Sequence, residues 1–203
     1  ATQSAEAFNY MAMAGWDSQQ MLDGIEGILN LAAASGEDLG TTSDIVTDAL
    51  TAFGLKASDA AHFSDVLAQS AASANTNVSM MGESFKYVAP IAGAMKYSVE
   101  DTSLALGLMA NASVKGSMAG TSLKTALANM AAPTDKMATA MKKYGISLTD
   151  SNGNMKTLKG VLDNLRSSLG GLSETEKTAA ASTIFSKEAM SGMLAIINAT
   201  ESD

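Results

Sequence analysis

Apolar residues recur at helical spacing along the chain, in runs interrupted roughly every fifteen to twenty-five positions. After a Gly15 stop, Asp17 or Ser18 suits an N-cap, and Met21, Ile25, Ile28 and Leu29 then share one face as far as Ala34. Leu22 and Ala32 flank that stripe. The stretch 35–44 breaks the helix, with Gly36 as its C-cap and Thr42 or Ser43 as the next start. Ile45, Ala49, Ala52 and Phe53 carry the stripe on, with Val46 and Leu50 beside it, and Gly54 closes that helix. Ser58 is placed to cap the following helix, whose Phe63, Val66, Leu67 and Ser70 face a core. SANTNVS (73–79) breaks it, and Ser79 opens the next helix. Ser98 caps a helix that carries Glu100 and Asp101 in its first turn, where the macrodipole favours carboxylates. Leu104, Leu106, Leu108 and Met109 follow, SVKG (113–116) breaks the run, and Ser117 opens another.

One phrase is written twice. SMMGESFK (79–86) returns as SMAGTSLK (117–124), 38 positions on, while Lys56 and Lys96 lie 40 apart, each two residues before a serine. A unit of about 40 residues is the size of a helical hairpin stacked on its neighbour. Within the phrase Ser79 or Ser117 caps, and Gly82 or Gly120 permits close helix contact. Phe85 or Leu123 faces the core, with Lys86 or Lys124 along its edge.

Beyond Pro133, which reads as a first-turn proline, the pattern changes. Residues 144–158 alternate weakly and contain SNGN, so a short β-hairpin or an irregular loop is expected near 144–157, jointed at Gly145 and Gly153. Helix resumes over Leu158–Leu169, stops at 170–172, and restarts with a capping box of Ser173 and Glu176. A small apolar helix over 184–197 ends the pattern. The expected fold is all-α, built of stacked helical hairpins. A repeat region spans 1–132 and a C-terminal helical region 133–203, the latter with a turn-rich insert at 145–156. Because the chain opens on Ala1 in mid-pattern, it reads as one compact fragment of a longer polypeptide.

Composition sharpens this picture. Apolar residues make up 46%, yet only 5% are aromatic; Ala, Gly and Ser dominate, and 14 methionines fill the gaps that small residues leave. A net charge of −8 with 13 dispersed Lys and Arg argues against direct nucleic-acid binding. There is no cysteine, hence no disulfide framework or thiol chemistry. The most apolar stretch, GIEGILNLAAA (24–34), contains Glu26 and falls far short of the ~20 residues a membrane span needs. His62 is the sole histidine and has no ligand-spaced partner. The pairs Glu37/Asp38 and Glu100/Asp101 suit helix starts better than a catalytic dyad. The Met-rich phrase suits a helix core more than a partner-binding groove. Neither cofactor nor metal is expected, and no enzyme emerges.

The residues also form recognisable phrases. AGWDSQQMLDGIEGILNLAAASGEDLGTTSDIVTDAL, SMMGESFKYVAPIAGAMKYSVEDTSLALGLMANASVKGSMAGTSLKTALANMAAPTD, YGISLTDSNGNMKTLKGVLDNLRSSL and LSETEKTAAASTIFSKEAMSGML follow one another in order. Together they resemble the core region of the tail tape measure proteins of long-tailed phages and prophages of Gram-positive bacteria. One departure is Ser186 in IFSKEAM, where glycine is common in the family. The resemblance implies a structural virion protein, made in the host cytoplasm and placed in the tail lumen. Such a protein sets tail length during assembly and leaves through the tip as the genome passes. It implies as partners the tail tube protein, tail assembly chaperones, distal tail and tip proteins, and further copies of itself. It supplies no catalytic residues for this stretch.

A measuring rod should be one long helix or coiled coil with heptads sustained over many turns. This sequence breaks its helices about every twenty residues and wants to fold back. A compact module is therefore expected, acting as a docking part or plug. Two readings from other classes stand beside it. One is a helical adaptor unrelated to phage. The other is a membrane-active segment using GILNLAAA and GMLAIINA. An enzyme built on His62 comes last.

Overall fold

Most helix starts in this chain are capped by a polar side chain, as at Asp17, Asp38, Asn77, Ser98, Thr134, Thr157 and Ser173. The computed structural model describes residues 2–200 and residue 203. Among them lie ten α-helices: α1 (Thr2–Met13), α2 (Ser18–Ser35), α3 (Leu39–Phe53), α4 (Ala60–Ser73), α5 (Val78–Ala94), α6 (Val99–Asn111), α7 (Gly116–Ala131), α8 (Asp135–Tyr144), α9 (Leu158–Leu169) and α10 (Glu174–Asn198). A 3₁₀ turn, Ala57–Asp59, precedes α4. No β-strand occurs among the described residues; the insert holds one isolated bridge, Thr149 to Met155.

Several helix starts differ from the sequence expectation. α3 begins at Asp38, whose carboxylate accepts the Thr41 N–H at 2.9 Å; Thr42 and Ser43 are buried inside the helix. The earlier start adds a turn of backbone hydrogen bonds and buries Leu39. Ser58 does not cap: it lies exposed in the 3₁₀ turn, and the Asp59 carboxylate takes the Lys56 N–H at 2.7 Å. Ser79 does not cap either, because Asn77 two residues earlier accepts the Met80 N–H at 2.8 Å. Ser117 falls at the equivalent second helical position of α7, whose N-cap is Lys115 without a side-chain bond. Pro133 precedes the Thr134 cap and stands outside the first turn of α8. Ser98 accepts the Asp101 N–H at 3.1 Å, and Ser173 and Glu176 form a reciprocal box.

Helix ends share one device. At Gly15, Gly54, Lys96, Ser113 and Gly145 the backbone turns left-handed, with φ between 60° and 82°. In each case the next residue (Trp16, Leu55, Tyr97, Val114 or Ile146) donates its N–H to the carbonyl five positions back, and that residue is apolar. The motif satisfies carbonyls that a helix end leaves open.

α10 does not run straight. Ser186 sits at φ 76° and ψ 166°, and Lys177 Nζ donates to Asn198 Oδ1 at 2.8 Å. A continuous helix would separate those residues by about 31 Å, so the chain reverses at Ser186 and the two halves lie back to back.

Up to α7 the helices pack on the next but one, and α10 then takes the place beside α7. α1 lies on α3, α3 on α5, α5 on α7 and α7 on α10, while α2 lies on α4, α4 on α6, and α6 on α9. Phe53, Phe63 and Phe85, from α3, α4 and α5, tie the two rows together. Their rings meet edge to face, with centroids 5.8 and 5.6 Å from Phe85. One core of buried Leu, Ile, Val, Met, Phe and Ala runs the length of the molecule.

Candidate functional site

The repeated phrase has a geometric meaning. A Cβ on Gly120 would overlap the carbonyl oxygen of Ser84 and lie 3.0 Å from its carbonyl carbon. Gly120 belongs to the second copy and Ser84 to the first. The pattern continues one step on, where a Cβ on Gly192 of α10 would lie 2.6 Å from Cβ of Ser122 in the second copy. Gly82 of the first copy meets Ile45 of α3 in the same way, at 2.6 Å. Ser84 Oγ also donates across the contact to the Gly116 carbonyl at 2.7 Å. Gly120 and Gly192 thus each face a serine of the preceding helix in this row, while Gly82 faces the branched side chain of Ile45.

The remaining joints are spread through the molecule. Gly54 and Gly145 terminate α3 and α8, and Gly153 turns the insert at φ 83°. They do not converge, so the jointing residues make no common pocket.

Sequence reasoning missed the asparagines. Asn164 in α9 pins the insert: its Oδ1 accepts Ser147 N and Lys156 Nζ, both at 3.2 Å. Its Nδ2 donates to the Gly145 carbonyl and Ser168 Oγ, both at 3.1 Å. Asn129 in α7 donates to the Phe185 carbonyl at 3.0 Å, next to the reversal at Ser186. A mid-helix asparagine, poor in helix propensity, was the available signal.

Surface grooves lie between neighbouring helices. One largely apolar groove, about 500 Å³, runs between α4 and α6 over Val66, Leu104 and Leu108, with Glu100 and His62 at its edge. His62 Nε2 pairs with Glu100, and both side chains are at least half exposed. Between α3 and α5, Lys86 Nζ lies 3.6 Å from Asp44. Partial burial and the neighbouring Asp44 push Asp48 above its ordinary value, with Lys86 pulling the other way. Among the described residues no three His, Cys, Asp or Glu side chains gather as metal ligands.

The family model described as phage-related minor tail protein matches residues 1–186. The chain belongs to this family. Among curated proteins it is similar to a tape measure protein of Pneumococcus phage Dp-1. The two are 40% identical over 199 residues, which is 98% of this chain and 17% of that relative. A probable tape measure protein of Escherichia phage P2 is 28% identical over 201 residues, 98% of this chain and 25% of its own. This minor tail family chain therefore spans a quarter or less of the curated relatives it matches. No solved structure matches it. Among the described residues no helix is long and apolar enough to cross a membrane.

Proposed function

We propose that this chain is a folded segment of a tape measure protein, a structural part of the phage tail that acts during assembly, length determination and passage of the genome through the tip. The single observation behind this is that the many short helices pack against one another instead of continuing as one rod. Their packing makes a two-row body from a sequence related to proteins named for tape measuring. The helix pairs read as hairpin repeats of about 40 residues over 1–132, capped by the 133–203 region with its pinned insert. Gly82 and Gly120 act as contact points between repeats, Gly54 and Gly145 end α3 and α8, and Ser98 and Ser173 start α6 and α10. The segment serves as a docking part or plug in the tail lumen, and the rod is formed elsewhere in the polypeptide. Its partners are the tail tube protein, the tail assembly chaperones, the distal tail and tip proteins, and further copies of itself. The role is structural, with no catalysis and no cofactor.

Lysine-reactive cross-linking of purified tails, read by mass spectrometry, tests the placement. Cross-links from exposed Lys136, Lys142 and Lys143 to tube or tip proteins are the expected result. Virions that lack peptides of this segment altogether would remove the reading.

A further inference from the structure

Ser186 combines three unusual features. Its backbone occupies φ 76°, ψ 166°, a region that is essentially glycine's, because a Cβ there crowds the backbone. Its hydroxyl is buried without a hydrogen-bond partner. Helical residues flank it on both sides, so one residue performs the whole reversal. The half beyond it, residues 187–198, packs through a buried face on α7 and α6, and side-chain hydrogen bonds hold its two flanks. Phe185 O is bound by Asn129 Nδ2, Asn198 Oδ1 by Lys177 Nζ, and the Ala199 carbonyl by Arg166 at 2.8 Å. A groove of about 310 Å³ separates part of this half from α6, along Leu108, Asn111, Leu194 and Ala195. Its buried face is Ala189, Gly192, Met193, Ile196 and Ile197. In an uninterrupted helix this face would be turned about a third of the way round from the buried face of the first half, so the bend at Ser186 is what brings both onto the core.

We propose that residues 187–198 form a detachable arm, hinged at the strained Ser186 joint, and that this arm opens before the α5–α7 core does. The strain is released whenever the arm leaves α6 and α7, so it lowers the free energy of that one opening step relative to an unstrained corner. The arm then exposes Met193, Ile196 and Ile197 as an apolar stripe at one end of the molecule. This inference rests on the joint's geometry and stands independently of the virion reading.

Hydrogen exchange on the whole 203-residue chain tests it. Amides of 187–198 should exchange together, at least about tenfold faster than the inner amides of α5 and α7 and with little dependence on denaturant. Ser186→Gly should slow arm exchange about tenfold, since one strained backbone conformation corresponds to roughly that factor. Asn129→Ala, which frees the Phe185 carbonyl, should accelerate arm exchange while leaving it faster than α5. If arm and α5 amides share one rate and one denaturant slope in all three proteins, the arm opens only with global unfolding and the proposal fails.

Discussion

Replacing Gly120 with alanine is the sharpest perturbation of the packing, because the same change elsewhere in this fold should have the opposite sign. In a helix interior, Gly→Ala normally stabilises by about 1 kcal/mol. At Gly107 in α6 the added Cβ would meet only Ala74 Cβ, at 3.4 Å, an ordinary contact. Gly107→Ala should therefore gain about 0.5–1 kcal/mol. At Gly120 the obstacle is the backbone of Ser84, which has no rotamer to escape into. α7 must move off α5 by about 1 Å, an overpacking cost of ~1–3 kcal/mol. The Ser84 Oγ bond to the Gly116 carbonyl stretches as well, a loss of about 1 kcal/mol. After the propensity gain, Gly120→Ala should destabilise by about 1–3 kcal/mol, lowering Tm by roughly 3–10 °C in a domain of this size. Thermal melts of both variants against the parent decide the matter. Ser84→Ala should not rescue Gly120→Ala, because the clash is with the carbonyl. A neutral or stabilising Gly120→Ala would refute the account of the repeated phrase as a close-contact device.

Three further outcomes follow from single sites. Lys96→Gly and Ser113→Gly relieve left-handed backbone at exposed positions, and each should raise stability by about 1 kcal/mol, additively, in urea titrations. Burial raises Tyr97 from its ordinary value of 10 to about 12, so its neutral form is favoured in the fold. The stabilising contribution is complete below pH 10 and is lost as pH climbs toward 12. Because the Tyr97 hydroxyl has no partner, Tyr97→Phe should stabilise by about 1 kcal/mol and flatten alkaline melting curves. Asn164→Ala removes three hydrogen bonds that hold the insert. It should cost about 1–3 kcal/mol and open residues 150–154 to limited proteolysis while α5 and α7 stay protected.

The all-helical character was legible because apolar residues recur at helical spacing and Val, Ile and Pro are sparse. Helix starts were harder, since runs such as GEDLGTTSD and SANTNVS hold several competent caps. Asp38 and Asn77 win over Thr42, Ser43 and Ser79 because the earlier start recovers a helical turn and buries Leu39 and Val78. Helix ends at Gly54 and Gly145 carry the residue that left-handed backbone favours, whereas Lys96 and Ser113 adopt the same turn without it. Their mark is subtler, an apolar Tyr97 or Val114 directly after a polar residue. The reversal at Ser186 left a faint trace in the phase of the stripe, which shifts by about a third of a turn between the two halves of α10. The groove between α4 and α6 was not legible, because Leu104 and His62 come together only through the pairing of those helices.

The central claim is that this segment is a folded body and not a length of rod. Tail length by electron microscopy, after deleting or duplicating residues 79–116 in frame in the encoding phage, tests it most directly. Both edits join the two copies of the phrase in register, so each removes or adds one helix pair. The account predicts tails of unchanged length in both phages, with any defect appearing in initiation, tip closure or infectivity. In an extended helix, 38 residues at 1.5 Å each would shorten or lengthen every tail by about 57 Å. That paired shift would contradict the account.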